Sequence, residues 1–222
     1  MIESILGQIF PVEYGKDPAS ITVPIVRHHN PFSVSDPNAC GPCQSNPQRA
    51  YRAGCNHEIL KVDNRGEEIA LVSYEQYIAQ YEDIGERCDL LMTDSGEGRR
   101  KIVFCDLCCY SEAFVEPNSG KYPQGKRAKA RQQMERSIDT LINQNVTAVN
   151  LLTYHEKICL FAWRDYDVPD KPIMAIRGDA RSNVQVFGST VSNMATTTTA
   201  HHQKIGHEFT FMQVKYPTVF NW

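Results

Sequence analysis

Two aspartates carry the first chemical signal. Asp89 stands in the run Cys88-Asp-Leu-Leu-Met92 and Asp106 in Lys101-Ile-Val-Phe-Cys-Asp-Leu-Cys-Cys-Tyr110. Both runs are β-like, and the Asp94-Ser-Gly-Glu-Gly98 segment between them has turn chemistry. A hairpin turning symmetrically about Glu97 and Gly98 sets Asp89 opposite Asp106 on one sheet face, with Cβ atoms about 4.5–5.5 Å apart. Two anions at that separation repel unless a cation, a proton or solvent intervenes. Hard Mg²⁺ or Mn²⁺ resolves this, because such ions take one or two protein carboxylates and complete their shell with water and phosphate oxygens. That arrangement serves metal-assisted phosphodiester hydrolysis. An upstream carboxylate such as Glu58 or Glu75 could complete the site. In a slipped register the same acids become strand-end charges facing water. Along the second strand Asp106 shares a face with Phe104 and Cys108, and Cys105 and Leu107 take the other.

A concentration of cations follows. The chain holds 23 basic and 26 acidic residues, net −3, so binding to a polyanion must come from a local patch. Lys121, Lys126, Arg127, Lys129, Arg131 and Arg136 supply one, with Glu135 the single acid among them. Ala130, Met134, Ile138, Leu141 and Ile142 form an apolar stripe at helical spacing, which predicts a helix over Lys126–Gln144. Basic residues crowded into its first turns oppose the helix dipole, and a phosphate there would relieve the conflict. Arg127, Arg131 and Arg136, with Gln133 on the same helix, are thus candidate nucleic-acid contacts. A plainer alternative is a solvated basic helix face.

The segments Glu86-Arg-Cys-Asp-Leu-Leu, Lys101-Ile-Val-Phe-Cys-Asp-Leu-Cys and Lys129-Ala-Arg-Gln-Gln-Met-Glu-Arg-Ser-Ile, in that order, resemble the PD-(D/E)xK nuclease superfamily over roughly residues 55–165. Members carry an Asp on one strand and acid-x-Lys on the next, followed by a helix and a further strand. Lys157–Trp163 is similar to that further strand, and residues 57–72 to a hairpin preceding the first acid. The resemblance implies that Asp89 and Asp106 hold Mg²⁺ or Mn²⁺ and that nucleic acid is the partner. The position of the family's lysine is Cys108, and a thiol cannot replace an ammonium that orients water and offsets developing charge. In members whose lysine has moved to the following helix, the comparable residues here are Lys126 and Lys129, with Gln132 and Gln133 as polar contributors. What is implied is a metal-dependent nuclease or a degenerate nuclease fold kept for binding nucleic acid.

Eight cysteines form a separate signal. Cys40-Gly-Pro-Cys43 and Cys55-Asn-His57 offer four ligands suited to tetrahedral Zn²⁺. The Cys-x-His half has to bend, since alternate residues of an extended strand point to opposite faces. A zinc-stabilised, non-catalytic module that docks a protein partner is therefore the alternative function. Free thiols are a further reading. Cys40 and Cys43 also match a thiol-oxidoreductase motif, although the polar flanks 30–38 and 44–52 lack the apolar strand and helix that chemistry requires. With no export signal at the amino terminus, the thiols are expected to be reduced and the protein cytoplasmic.

The elements that must position these residues fit one domain of 222 residues. We divide it into an N-terminal extension with a Cys-rich loop (1–54), the nuclease-like core (55–165) and a C-terminal β-rich extension (166–222). Pro11, Pro24, Pro31 and Pro37 predict irregular chain around one opening strand, Ile21–Val26. His57–Val72 reads as a hairpin about Asn64-Arg65-Gly66. Tyr74, Ile78 and Tyr81 suit a helix or a strand. Strand, helix and strand through Lys157–Trp163 require a crossover, which brings parallel pairing into the sheet. The expected class is α/β, a mixed central sheet with flanking helices. Val184–Phe187 and His207–Val214 are strand-like, and Thr196–Thr199 is a polar run. No stretch reaches the roughly 18 apolar residues of a membrane helix, so no membrane partner is expected.

Overall fold

The computed structural model describes residues 2–35, 58–96, 98–109, 112–117, 123–165 and 203–222. Its α/β class is as the sequence predicts. The amino terminus is helical instead of irregular. Three successive pieces, Ile2–Ser4, Ile5–Ile9 with wide π-type turns and Phe10–Glu13, together make α1. Ile2, Ile5, Leu6 and Phe10 recur every three or four residues and are all buried. Pro11 is accommodated in the first turn of the last piece, where its missing N–H costs nothing. The Leu6 carbonyl, in the wide-turn segment, accepts the Tyr77 hydroxyl at 2.7 Å.

The strands are β1 (Ile25–His28), β2 (Phe32–Ser35), β3 (Glu58–Asp63), β4 (Ile69–Ser73), β5 (Leu90–Asp94), β6 (Lys101–Cys109), β7 (Glu156–Arg164), β8 (Gln203–Lys204), β9 (Thr210–Lys215) and β10 (Val219–Asn221). The helices after α1 are α2 (Tyr74–Ile78), α3 (Glu112–Val115), α4 (Gly125–Ile142) and α5 (Asn145–Leu152). A seven-stranded sheet has the order β1-β4-β5-β6-β7-β9-β8, and a three-stranded sheet the order β10-β3-β2. Pairing in the large sheet is antiparallel from β1 to β6, parallel through β6-β7-β9, and antiparallel at β8.

Alternation divides the core in two. Val72, Leu91, Ile102, Phe104, Cys159 and Phe161 point to one face of the large sheet, where α1, α2 and α4 bury Leu6, Tyr74, Met134 and Ile138 against them. Leu71, Met92, Val103, Cys105 and Leu160 point to the other face, and Val34, Leu60, Val62 and Phe220 of the small sheet cover it. Three layers result: helices, large sheet, small sheet.

One expected pairing is corrected. The turn at 64–66 forms, with Glu67 N–H donating to the Asn64 carbonyl at 2.9 Å and Arg65 and Gly66 at positive φ. Its flanking strands nevertheless part: β3 joins the small sheet and β4 the large one. The reason is burial. All five residues of β4 are buried, so it needs cover on both faces, whereas β3 keeps Glu58, Lys61 and Asp63 only partly covered. The segment at 74–78 resolves as a helix, and 90–109 as the predicted antiparallel hairpin.

Candidate functional site

The β5–β6 register runs from Thr93 opposite Ile102 to Leu90 opposite Cys105, the alignment that a turn centred on Glu97 and Gly98 requires. Asp89 lies one residue beyond the last pair. There the ladder shifts, and Asp89 N–H donates to the Cys105 carbonyl at 3.1 Å. The Asp89 Oδ2 in turn accepts the Leu107 N–H at 2.6 Å, so its carboxylate closes the end of the hairpin against the 106–107 peptide. Asp106 is 8 % exposed and sits between Phe104 and Cys108, both on the helix-side face. The two acids therefore adjoin at the carboxyl end of β6.

Electrostatics agree with that proximity. Burial pushes the Cys88 and Cys105 thiols well above their ordinary range; at Cys88 the Ser137 hydrogen bond opposes this, and the negative charges of Asp89 and Asp106 add to the rise at both thiols. These thiols stay protonated and are not nucleophiles. Cys108 is 5 % exposed and paired with Trp163 of β7.

α4 grips the approach to Asp89. The Ser137 hydroxyl oxygen accepts Cys88 N–H at 2.9 Å, and Gln133 Nε2 donates to the Arg87 carbonyl at 3.0 Å. The helix starts where it does because Gly125, at φ +77°, passes the end of α3; a Cβ there would lie 2.6 Å from both the Glu116 carbonyl carbon and the Val115 oxygen. Its cations are differently disposed from the sequence-based picture. Arg127 pairs with Glu116 at 2.8 Å, Arg131 with Glu135 at 2.9 Å, and Arg136 with Glu86. Lys126 is half-buried in the first turn, and Lys129 and Gln132 are exposed. Gln133 serves the 87–88 backbone.

Of the two upstream carboxylates, Glu58 is on β3 of the small sheet, on the far side of the large one, where its carbonyl accepts Arg164 Nη1 at 3.1 Å. Glu75 opens α2, and its N–H donates to the Asp89 carbonyl at 3.1 Å. Only Glu75 borders the acid pair. Among the described residues no group of three or more His, Cys, Asp or Glu is arranged to hold a metal. A pair of hard oxygen donors, one of them already bonded to a backbone N–H, fits an ion that leaves most of its shell to water and phosphate, as Mg²⁺ and Mn²⁺ do. It does not fit an all-protein cage. Cys40, Cys43, Cys55 and His57, the zinc candidates, lie outside the described residues, as do Val184–Phe187 and Thr196–Thr199.

Sequence reasoning missed Ser137, a small polar residue on the apolar side of α4 whose buried position is its only signal. It also missed Lys215, which continues the Phe209, Phe211, Gln213 alternation of β9 onto the helix-side face. The Lys215 Nζ lies 4.4 Å from the Trp163 ring centroid. A cleft of about 480 Å³ opens between residues 83–86 and the later turns of α4, and Asp83, Glu86 and Asp139 outnumber Arg136 in its wall. That charge disfavours phosphate. Among the described residues no helix is long and apolar enough to cross a membrane. Set against protein-family models, curated proteins and solved structures, the chain matches none.

Proposed function

We propose that the chain is a PD-(D/E)xK-like protein that engages nucleic acid at the carboxyl end of β6, with Mg²⁺ or Mn²⁺ held by Asp89 and Asp106. The observation that carries this is the bond from Leu107 N–H to the Asp89 carboxylate, which sets Asp89, just before β5, beside the residue that follows Asp106 on β6. The order strand, strand, helix, parallel strand supports it. Bound there, the metal would supply a Lewis acid and a lowered pKa for its water. The chain's own part is positional. Asp106 presents its carboxylate from a rigid interior strand, Asp89 is fixed by the Leu107 N–H, and Ser137 and Gln133 hold the peptide leading into it.

Cys108 favours a second reading, binding without cleavage, because a buried thiol cannot replace an ammonium beside a departing oxygen. One experiment separates the two. Incubation with single- and double-stranded DNA and RNA in Mn²⁺ should yield cleavage that Asp89→Asn and Asp106→Asn each abolish. Binding that is retained without any cleavage selects the second reading. If the wild-type protein neither binds a nucleic acid nor takes up Mn²⁺ in a titration followed by electron paramagnetic resonance, the proposal fails.

A further inference from the structure

We infer that α5 is a self-association surface, covered by the α5 of a second copy of this chain crossed antiparallel about a two-fold axis at Val149. A helix on the outside of a domain hides its apolar stripe and turns charged and polar residues to water. α5 departs from this. It buries Thr147 and Leu151, and the side it turns to solvent carries Val146, Val149 and Leu152, which are 52 %, 66 % and 38 % exposed. Spaced at i, i+3 and i+6, these three share one face of the helix. Val12, 63 % exposed on α1, directly precedes the Glu13 that seats the first turn of α5. A single exposed valine is ordinary, whereas a row of aliphatic side chains is the kind of surface that marks a contact site.

Both ends of α5 have partners within the chain. Glu13 accepts the Val146 and Thr147 N–H groups at one end, and at the other Arg99 donates to the Asn150 carbonyl and amide oxygens at 3.4 and 2.9 Å. What is left to cover is the apolar side. From Thr140 to Tyr154 the chain holds no charged residue, so this face gives an acidic or basic partner nothing to pair with. A second copy fits it by spacing. The face is symmetric about Val149, with Val146 and Leu152 three residues to either side and the exposed Asn145 and Thr153 four. Antiparallel crossing at Val149 sets that residue on its own equivalent and each Val146 on the Leu152 of the second copy. Each Asn145 then meets a Thr153, which gives an apolar centre, a polar rim and no buried charge. The apolar row is only about 9 Å long, so the pair falls below about 1,200 Å² of total buried surface, the class of weak, reversible complexes.

The test is sedimentation velocity of the full chain in reducing buffer, from about 5 μM to about 1 mM, the range in which a complex of this class dissociates. The sedimentation coefficient of the wild type should rise with concentration from that of a monomer toward that of a dimer. Val149→Glu sets two like charges on the axis and should weaken association about tenfold or more. Val149→Leu should retain it. Thermal melting checks that each variant folds, and Val149→Asn replaces the charged variant if that one does not. Val149→Cys, oxidised with diamide, should give more covalent dimer than the wild type or Arg65→Cys, which places a thiol on an exposed turn elsewhere. A wild type that stays monomeric at every concentration overturns the inference. So does association that Val149→Glu leaves unchanged, which would mean that another surface joins the copies, or a Val149→Cys yield no greater than the control. None of these results bears on whether the acid pair takes a metal or nucleic acid.

Discussion

Two strand pairs bounded by similar turns meet different fates in this chain. β3 and β4 flank Asn64-Arg65-Gly66, β5 and β6 flank a Gly-containing segment after Asp94, and only the second pair folds back on itself. Turn chemistry sets where the chain reverses. What the strands then pair with depends on how many of their faces must be hidden. β5 and β6 are both almost wholly buried and can share the interior of one sheet. β4 is buried throughout but follows a strand with partly exposed polar positions, so the reversal carries it from the outer layer to the inner. Asn64 helps in the change of layer: its buried amide donates to the carbonyls of both Glu67 and His28, the latter at the end of β1, which lies beside β4.

That contrast can be broken most severely in β4. Leu71 is fully buried between the two sheets, so Leu71→Ala should cost about 2–5 kcal/mol, from lost burial and the cavity left behind. Lys61→Ala in β3 should cost far less, since its side chain reaches solvent. Urea melts of the two variants make the comparison. Equal losses would mean that the strands occupy equivalent layers after all.

A smaller effect probes how α4 anchors the open end of the β5–β6 hairpin. Ser137→Ala removes the acceptor of the buried Cys88 N–H, at a cost of about 1–3 kcal/mol. The loss should be local, seen as faster amide exchange at Cys88 with little change at the middle of β6. Uniform acceleration across the hairpin would show that α4 does not anchor its open end.

How much of this was legible follows the same division. The β5–β6 register from Thr93–Ile102 to Leu90–Cys105 could be read because a turn centre and a period of two determine it, and those are local properties; the shift that sets the Asp89 N–H on the Cys105 carbonyl could not. The face shared by Phe104, Asp106 and Cys108 could be read for the same reason. The layer change after β3 could not, because it depends on strands from both ends of the chain, β2 and β10, arriving to make the small sheet. α1 was legible in Ile2, Ile5, Leu6 and Phe10, and the prolines drew the reading away from it. The arginines of α4 were correctly placed on a helix, yet their partners Glu86 and Glu116 lie outside it, and no helical spacing reveals them.

The smallest expected effect lies outside both strand pairs, at the crossover that makes β6 and β7 parallel. α5 has Gln144 at its amino end, whose side chain makes no capping hydrogen bond. Glu13 of α1 takes over: Oε1 accepts Val146 N–H at 2.6 Å, and Oε2 accepts Thr147 N–H at 2.9 Å and the Thr147 hydroxyl at 2.6 Å. Slight burial raises the Glu13 pKa, but these three bonds outweigh it and hold the group below its ordinary value of 4.5. A carboxyl depressed on folding stabilises the protein above its unfolded pKa, and the stabilisation is lost as pH falls through the folded value. Glu13→Gln cannot accept from both amides, because one of its two terminal atoms is a donor. It should cost about 1 kcal/mol or less near neutral pH, given the solvent around this group. The difference between wild type and variant should shrink once the pH drops below the ordinary carboxylate range. A difference that persists unchanged in acid would mean that shape, and not charge, joins α1 to α5.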